Sequence, residues 1–234
     1  MKKRAFTLAE VLITLGIIGV VAALVMPSLI ANYKKQQYLT QLKKISSVLG
    51  QAAKMAMAEG DVDGMSNTKF GVDYNNYNSE AKAASEWFLG LLNVVKICED
   101  SLTPCLSDKY QNLDGTDITF ATTYVCGALA DGTSVCVNPP TLYDQGNESY
   151  NNIPLAARVL VDLNGSKGPN VNGRDLFSFS ICEHGEIREY CSNDIYLDQG
   201  AINNGFNGKC LMVDSAAYGG CYAKIIQDGW KMDY

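Results

Sequence analysis

The spacing of hydrophobic positions changes along the chain, and each change predicts an element. From Val11 to Met26 no charged residue occurs, and the apolar run continues past Pro27 to Ala31. That is about the 20 residues a bilayer-crossing helix needs. From Tyr38 the apolar residues spread out. Tyr38, Leu42, Ile45, Leu49, Ala52, Ala53 and Ala56 recur at helical intervals, with Gln41, Lys43, Lys44 and Lys54 on the polar side. Gly60 is a stop signal. The pattern predicts one helix from Phe6 to Glu59, roughly 80 Å long at about 1.5 Å per residue. Its first half is apolar all round and its second half is amphipathic. Pro27 has no backbone N–H and is expected to kink or locally melt it.

Beyond Gly60 the chain is polar until a second helix, predicted over Ser79–Ile97 with Ser79 as N-cap. Ala84, Trp87, Phe88, Leu91, Leu92 and Val95 form its apolar face, expected to pack on the amphipathic half of the first helix. From Ile118 the pattern turns to β. The stretch ITFATTYVCGALADGTSVCVN reads as a hairpin whose three-residue turn, Ala130-Asp131-Gly132, pairs Leu129 with Thr133. The same register sets Cys126 opposite Cys136. Further strands are predicted at Ala157–Leu163 and Leu176–Cys182, and the C-terminal CYAKIIQDGWKMDY reads as strand, Asp228-Gly229 turn and strand. The fold class is α+β: a long N-terminal helix packed on an antiparallel β-sheet head.

Composition adds compartment and partners. The chain has 234 residues and a net charge of −6, so it lacks the basic footprint of a nucleic-acid binder. All eight cysteines lie after residue 97, in the part that follows the apolar segment. An even number confined there predicts disulfides formed in an oxidising compartment. Cys98 with Cys105, Cys182 with Cys191, and Cys210 with Cys221 are close in sequence, and sequential pairing is the simplest of many connectivities.

Lys2, Lys3 and Arg4 precede the apolar run, and with the amino terminus they favour a cytoplasmic N-terminus and an exported body. One acidic residue, Glu10, stands at the near edge of that run. A carboxylate facing hydrocarbon is costly unless it reaches the interface or meets a partner. The string Lys2-Lys3-Arg4-Ala5 followed by Phe6-Thr7-Leu8-Ala9-Glu10 resembles the N-terminal signal of type IV prepilins and type II secretion pseudopilins. The resemblance implies cleavage between Ala5 and Phe6 by a prepilin peptidase, then methylation of the new amino terminus. Where that family usually has glycine before the cut, this chain has Ala5, which is also small. Glu10 would pair with the amino group of Phe6 on a neighbouring subunit, and Pro27 sits where many pilins carry a helix-breaking proline. An uncompensated charge would penalise a misregistered subunit.

The implied organisation is a leader at 1–5, a membrane and assembly half of the helix at 6–31, an amphipathic half at 32–60, and an exported head at 61–234. Partners would be prepilin peptidase, the inner membrane, and copies of the chain or other pilins in a filament, with no nucleic acid. The chain would rest in the inner membrane before its head enters a pilus or pseudopilus. Two alternatives are a minor pilin acting as a binding module and a tethered exported domain that never polymerises. The Cys210–Cys221 segment also resembles the disulfide-bounded loop near the C-terminus of many type IV pilins.

No enzyme and no resident cofactor are expected. The one histidine, His184, reads as a turn residue, and no nucleophile motif or phosphate loop accompanies it. Asp162, Asn164 and Asp175 open and close a loop rich in hard oxygen donors, which leaves calcium open, as some pseudopilins bind it in the head. The twelfth position from Asp162 is Gly173, not the bidentate glutamate of an EF-hand. The competing reading is a turn held by side-chain-to-backbone bonds, with Lys167 and Arg174 neutralising the aspartates.

Overall fold

The computed structural model describes residues 7–70, 79–98, 102–120, 124–138, 155–189, 191, 199–211 and 219–234. Contacts divide the chain into two compact units, Met1–Tyr38 and Leu39–Tyr234. The boundary assigns the amphipathic helical segment from Leu39 to the head.

Helix α1 runs Leu8–Gly60. In the first unit its large apolar side chains are exposed, from Leu8 and Leu12 to Leu29 and Ile30. The helix is unbroken across Pro27, so the expected local melting does not occur. The neighbouring Ser28 hydroxyl donates to the Val25 carbonyl at 2.9 Å.

In the second unit α1 buries Leu39, Leu42, Ile45, Leu49, Ala52, Ala53 and Ala56. This is the predicted face, with Leu39 fully buried beside a half-buried Tyr38. Each fully buried leucine contributes about 2 kcal/mol. Asp61, at φ 49°, turns the chain after Gly60. The turn Met65–Asn67 is then stitched to the far end of the head by Glu183. The Met65 N–H donates to the Glu183 carbonyl at 2.8 Å, and the Ser66 hydroxyl to its carboxylate at 2.6 Å. Gly64 leaves room for this contact, because a Cβ would stand 1.9 Å from Glu183 Oε1 and push that side chain aside.

Helix α2 spans Ser79–Leu91, shorter than the predicted Ser79–Ile97. Asn93 adopts φ 54° and ends it. The Val95 N–H bonds the Ala128 carbonyl at 2.8 Å, and strand β1, Lys96–Cys98, follows. Val95, expected in the core, is therefore 67% exposed. Sheet pairing overrode the helical spacing: two successive β-branched residues, Val94 and Val95, are weak helix formers beside an open strand edge. Phe88 is buried and stacks on Phe70 at 4.4 Å, while Trp87 is half-buried under the Lys69 ammonium. Helix α2 lies against β4 and β5.

Strands β2 (Tyr110–Gln111) and β3 (Asp117–Ile118) form a small separate sheet. Ile118 belongs there rather than to the predicted hairpin. The hairpin itself is β4 (Val125–Ala128) and β5 (Ser134–Asn138), and Leu129 and Thr133 bracket the predicted turn with Gly132 at φ 89°. Strands β6 (Leu155–Asp162), β7 (Leu176–Cys182) and β8 (Ile187–Arg188) continue it. Among the described residues the main sheet has the order β1-β4-β5-β6-β7-β8, antiparallel throughout. Its register aligns Cys126, Cys136, Leu160 and Ser178 on one face, and Val125, Val137, Val159 and Phe179 on the other. The first face packs on Leu106 and Tyr110.

The C-terminal stretch corrects the prediction of two strands. Helix α3 (Gln199–Gly205) leads into a π-helical turn, Phe206–Leu211, and helix α4 occupies Cys221–Gln227. The Asp228-Gly229 turn ends α4 instead of joining strands. The isoleucine pair in CYAKIIQ favours β locally, but the tertiary setting of α4 wins. Tyr222 meets Phe179 of β7 edge-on at 4.4 Å, and Trp230 at 6.1 Å.

Candidate functional site

The first turn of α1 carries the residues that sequence reading singled out. Ala5 and Phe6 lie outside the described residues. Glu10 is in place on the helix, and it has a partner within its own chain. The Thr7 N–H donates to Glu10 Oε2 at 2.8 Å, the Thr7 hydroxyl donates to the same oxygen at 2.9 Å, and the Glu10 N–H donates back to the hydroxyl at 3.3 Å. This is a capping box, in which a threonine and a glutamate three residues on satisfy each other's free backbone donors. It also sets a negative charge at the positive end of the helix dipole. The signal was present in the sequence as Thr-x-x-Glu before an apolar run. Neither expectation for Glu10, a place at the interface or a partner on another subunit, includes this local role.

Downstream of this box the exposed face of the first unit is apolar for more than five turns. Among the described residues α1 is the one helix long and apolar enough to cross a membrane. Two consequences follow from the physical chemistry. In lipid, the backbone is satisfied by the helix and the side chains need no polar partner. Out of lipid, the same side chains must be covered by other apolar surface.

The head holds its half of α1 at several points. Lys44 Nζ donates to Asp131 in the β4–β5 turn at 2.7 Å. The Ser46 and Tyr222 hydroxyls share a hydrogen bond of 2.6 Å, and the Lys43 ammonium stands 5.0 Å from the centre of the Trp230 ring. Gly185 of the β7–β8 turn contacts α1 closely, since a Cβ there would be 3.3 Å from the Ala53 Cβ. His184 lies in this same turn and borders an open groove of about 520 Å³ shared with Ser47, Gln51 and Lys54.

The structure pairs the cysteines consecutively: Cys98–Cys105, Cys126–Cys136, Cys182–Cys191 and Cys210–Cys221. Cys126 and Cys136 face each other across the hairpin. No thiol remains free. Gly173 packs directly on the last disulfide: its φ is 80°, and a Cβ would be 2.7 Å from Cys221 Sγ.

Asp162 and Asp175 come together with Asn164 in the loop that joins β6 to β7, and both carboxylates are fully buried. Burial pushes the Asp162 carboxyl up to about 8, with the Asp175 charge acting the same way and hydrogen bonds from Tyr110, Asn164 and Gly165 acting against it. Asp175 is likewise raised by burial. Among the described residues neither Lys167 nor Arg174 forms an ion pair with them. No cluster of three or more His, Cys, Asp and Glu side chains converges to hold a metal ion among the described residues.

Sequence reading missed Glu189. Its carboxylate reaches from the end of β8 under the first turn of α4 and accepts the Ala223 N–H at 2.8 Å. The N–H groups of Gly220 and Cys221 bond the same carboxylate. Gly220 at the N-cap has no side chain to do this. Glu189 thus caps a helix 34 residues away in sequence. No local signal marks such a contact.

Two family profiles match the chain. A prokaryotic N-terminal methylation motif covers residues 1–26, and a family of unknown function (DUF6613) covers residues 28–234. No curated protein and no solved structure matches it. The methylation motif is the type IV prepilin-like signal. The chain belongs to the family of unknown function DUF6613 and carries, at residues 1–26, a type IV prepilin-like signal.

Proposed function

We propose that this protein is a structural subunit, a pilin or pseudopilin, that prepilin peptidase cuts between Ala5 and Phe6 and that then enters a type IV pilus or a type II secretion pseudopilus. Before assembly α1 spans the inner membrane with its N-terminus in the cytoplasm and the disulfide-bonded head outside. The work of the molecule is packing, not catalysis. One observation carries this reading: a prepilin-type signal opens a helix whose apolar side chains, Leu8 to Ile30, are exposed. Such a surface requires lipid first and the helices of other pilin-like subunits afterwards. Four disulfides in the head are consistent with export.

Within the filament Glu10 meets the amino group of Phe6 on a neighbouring subunit, exchanging the Thr7 box for an ion pair. The test uses two substitutions. Glu10→Ala removes both the cap and the charge. Glu10→Gln keeps a capping-box side chain and removes only the charge. Both are expected to lose incorporation into sheared filaments while remaining in the membrane fraction. Filament incorporation of Glu10→Gln at the level of the unmodified chain would reduce Glu10 to a helix cap.

A further inference from the structure

Four of the cysteines are gathered in one part of the head. Cys98 on β1 is the cross-strand partner of Cys126 on β4, and Cys126 is the partner of Cys136 on β5. Residues directly opposite each other in an antiparallel pair send their side chains to the same face. The three side chains therefore form one row across three adjacent strands, with strands about 4.8 Å apart. Cys126 stands in the middle of the row. It is bonded to Cys136 on one side and has Cys98 on the other.

Cys105 completes the group. The Ser134 hydroxyl donates to the Cys105 carbonyl at 2.6 Å. Ser134 lies two residues before Cys136 on β5, so the two share a face of the strand. All four cysteines pack in one buried cluster with Leu106, Tyr110, Leu160 and Leu176. The bonds Cys98–Cys105 and Cys126–Cys136 are neighbours there, and a second set of pairs, Cys98–Cys126 and Cys105–Cys136, lies within the same cluster. Cys182–Cys191 and Cys210–Cys221 belong to other elements, β7 and α4.

In thiol–disulfide exchange a thiolate attacks one sulfur of a disulfide and expels the other, and the three sulfurs approach a line. The row Cys98, Cys126, Cys136 presents attacking, central and leaving sulfur in that order. We propose that Cys98, Cys105, Cys126 and Cys136 form a single thiol–disulfide exchange site with two connectivities, interconverted by a thiol co-reactant that is returned unchanged. The external thiolate attacks Cys105 Sγ, a mixed disulfide forms there, and Cys98 leaves as a thiolate. Cys98 Sγ attacks Cys126 Sγ. The Cys98–Cys126 bond forms, and the electron pair of the broken Cys126–Cys136 bond goes to Cys136. Cys136 Sγ then attacks Cys105 Sγ, which forms Cys105–Cys136 and releases the external thiolate. Two disulfides are present before and after, so no oxidant or reductant is consumed. The outer bond is the point of entry, because Cys98 and Cys105 keep 5% and 3% exposure whereas Cys126 and Cys136 keep 0%. The second connectivity ties the edge strand β1 directly to β4 and releases the cross-link of the β4–β5 hairpin.

The test uses the full oxidised chain in detergent micelles with a buffer of reduced and oxidised glutathione at about pH 8, near the ordinary thiol pKa. After acid quenching and alkylation in denaturant, cleavage before aspartate separates the four cysteines, because Asp100, Asp117 and Asp131 fall between them. Mass spectrometry is expected to find peptides linked through Cys98–Cys126 and Cys105–Cys136 in equal amounts, with Cys182–Cys191 and Cys210–Cys221 unchanged. Cys105→Ser gives a second reading with no added thiol. In part of its molecules the free thiol is expected to move from Cys98 to Cys136 as Cys98–Cys126 forms. The original pairs alone in the unmodified chain would overturn the proposal, and so would Cys98 as the sole free thiol of the variant. New pairs that also draw in Cys182 or Cys210 would mean scrambling through an unfolded head, which overturns it as well. If Cys105→Ser does not fold, the unmodified chain decides alone.

Discussion

Thr7 and Glu10 hold each other at the start of α1, with the threonine N–H and hydroxyl both on one carboxylate oxygen at 2.8 and 2.9 Å. The pair gives the glutamate a partner before any other subunit is present. Thr7→Val removes the hydroxyl and keeps the size of the side chain. It is expected to weaken the first turn by about 1 kcal/mol, the usual worth of such a cap. Amide hydrogen exchange in micelles reads this directly. The Val11 N–H, which bonds the Thr7 carbonyl at 3.3 Å, should exchange several-fold faster, while amides of the head are unchanged. Equal exchange in both proteins would mean that the box does not form in an apolar environment.

The hydroxyl pair Ser46–Tyr222 joins α1 to the C-terminal helix. Ser46→Ala and Tyr222→Phe should each cost about 1 kcal/mol, and the double substitution little more than either alone. Chemical unfolding of the three variants measures the coupling. Additive losses would show that the two hydroxyls make their contributions to other groups.

Much of this fold was legible because its signals are local. The three-and-four spacing from Tyr38 to Ala56 is the buried face of α1, and the Ala130-Asp131-Gly132 turn set the hairpin register that aligns Cys126 with Cys136. Strand β7 has the predicted bounds, Leu176–Cys182. The failures share one cause, long-range contact. Helix α4 was read as a strand because its first-turn amides are satisfied by Glu189, and neither that contact nor the disulfide from Cys210 follows from the letters CYAKIIQ. Helix α2 was drawn too long because the strand that displaces its end, Lys96–Cys98, depends on an edge offered by Val125–Ala128. At the N-terminus the capping box is local again, since Thr-x-x-Glu before an apolar run is its signature.

Glu189 makes the stability of the head depend on pH in an unusual direction. Burial raises its carboxyl to about 7 from 4.5, against the pull of the three amides and of Lys209. The folded head therefore keeps a proton that the unfolded chain releases. That contribution is complete below pH 4.5 and is lost as pH rises through about 7. Asp162, raised to about 8, acts in the same sense. The unfolding midpoint should be higher near about pH 5.5 than near about pH 8.5, and Glu189→Gln should flatten the profile around neutrality. A midpoint that climbs steadily with pH would show that Glu189 is ionised in the folded head and well compensated.

The central claim is that residues 1–5 are a removable leader and that the apolar half of α1 behind them is an assembly surface. Co-expression of the chain with and without a prepilin peptidase, followed by intact mass and N-terminal peptide sequencing, tests it most directly. The account predicts a product that begins at Phe6 and carries one added methyl group when the peptidase is present, and a chain that still begins at Met1 when it is absent. A chain that keeps Met1 in both cultures, or one cut inside the apolar run near Ala23, would contradict it.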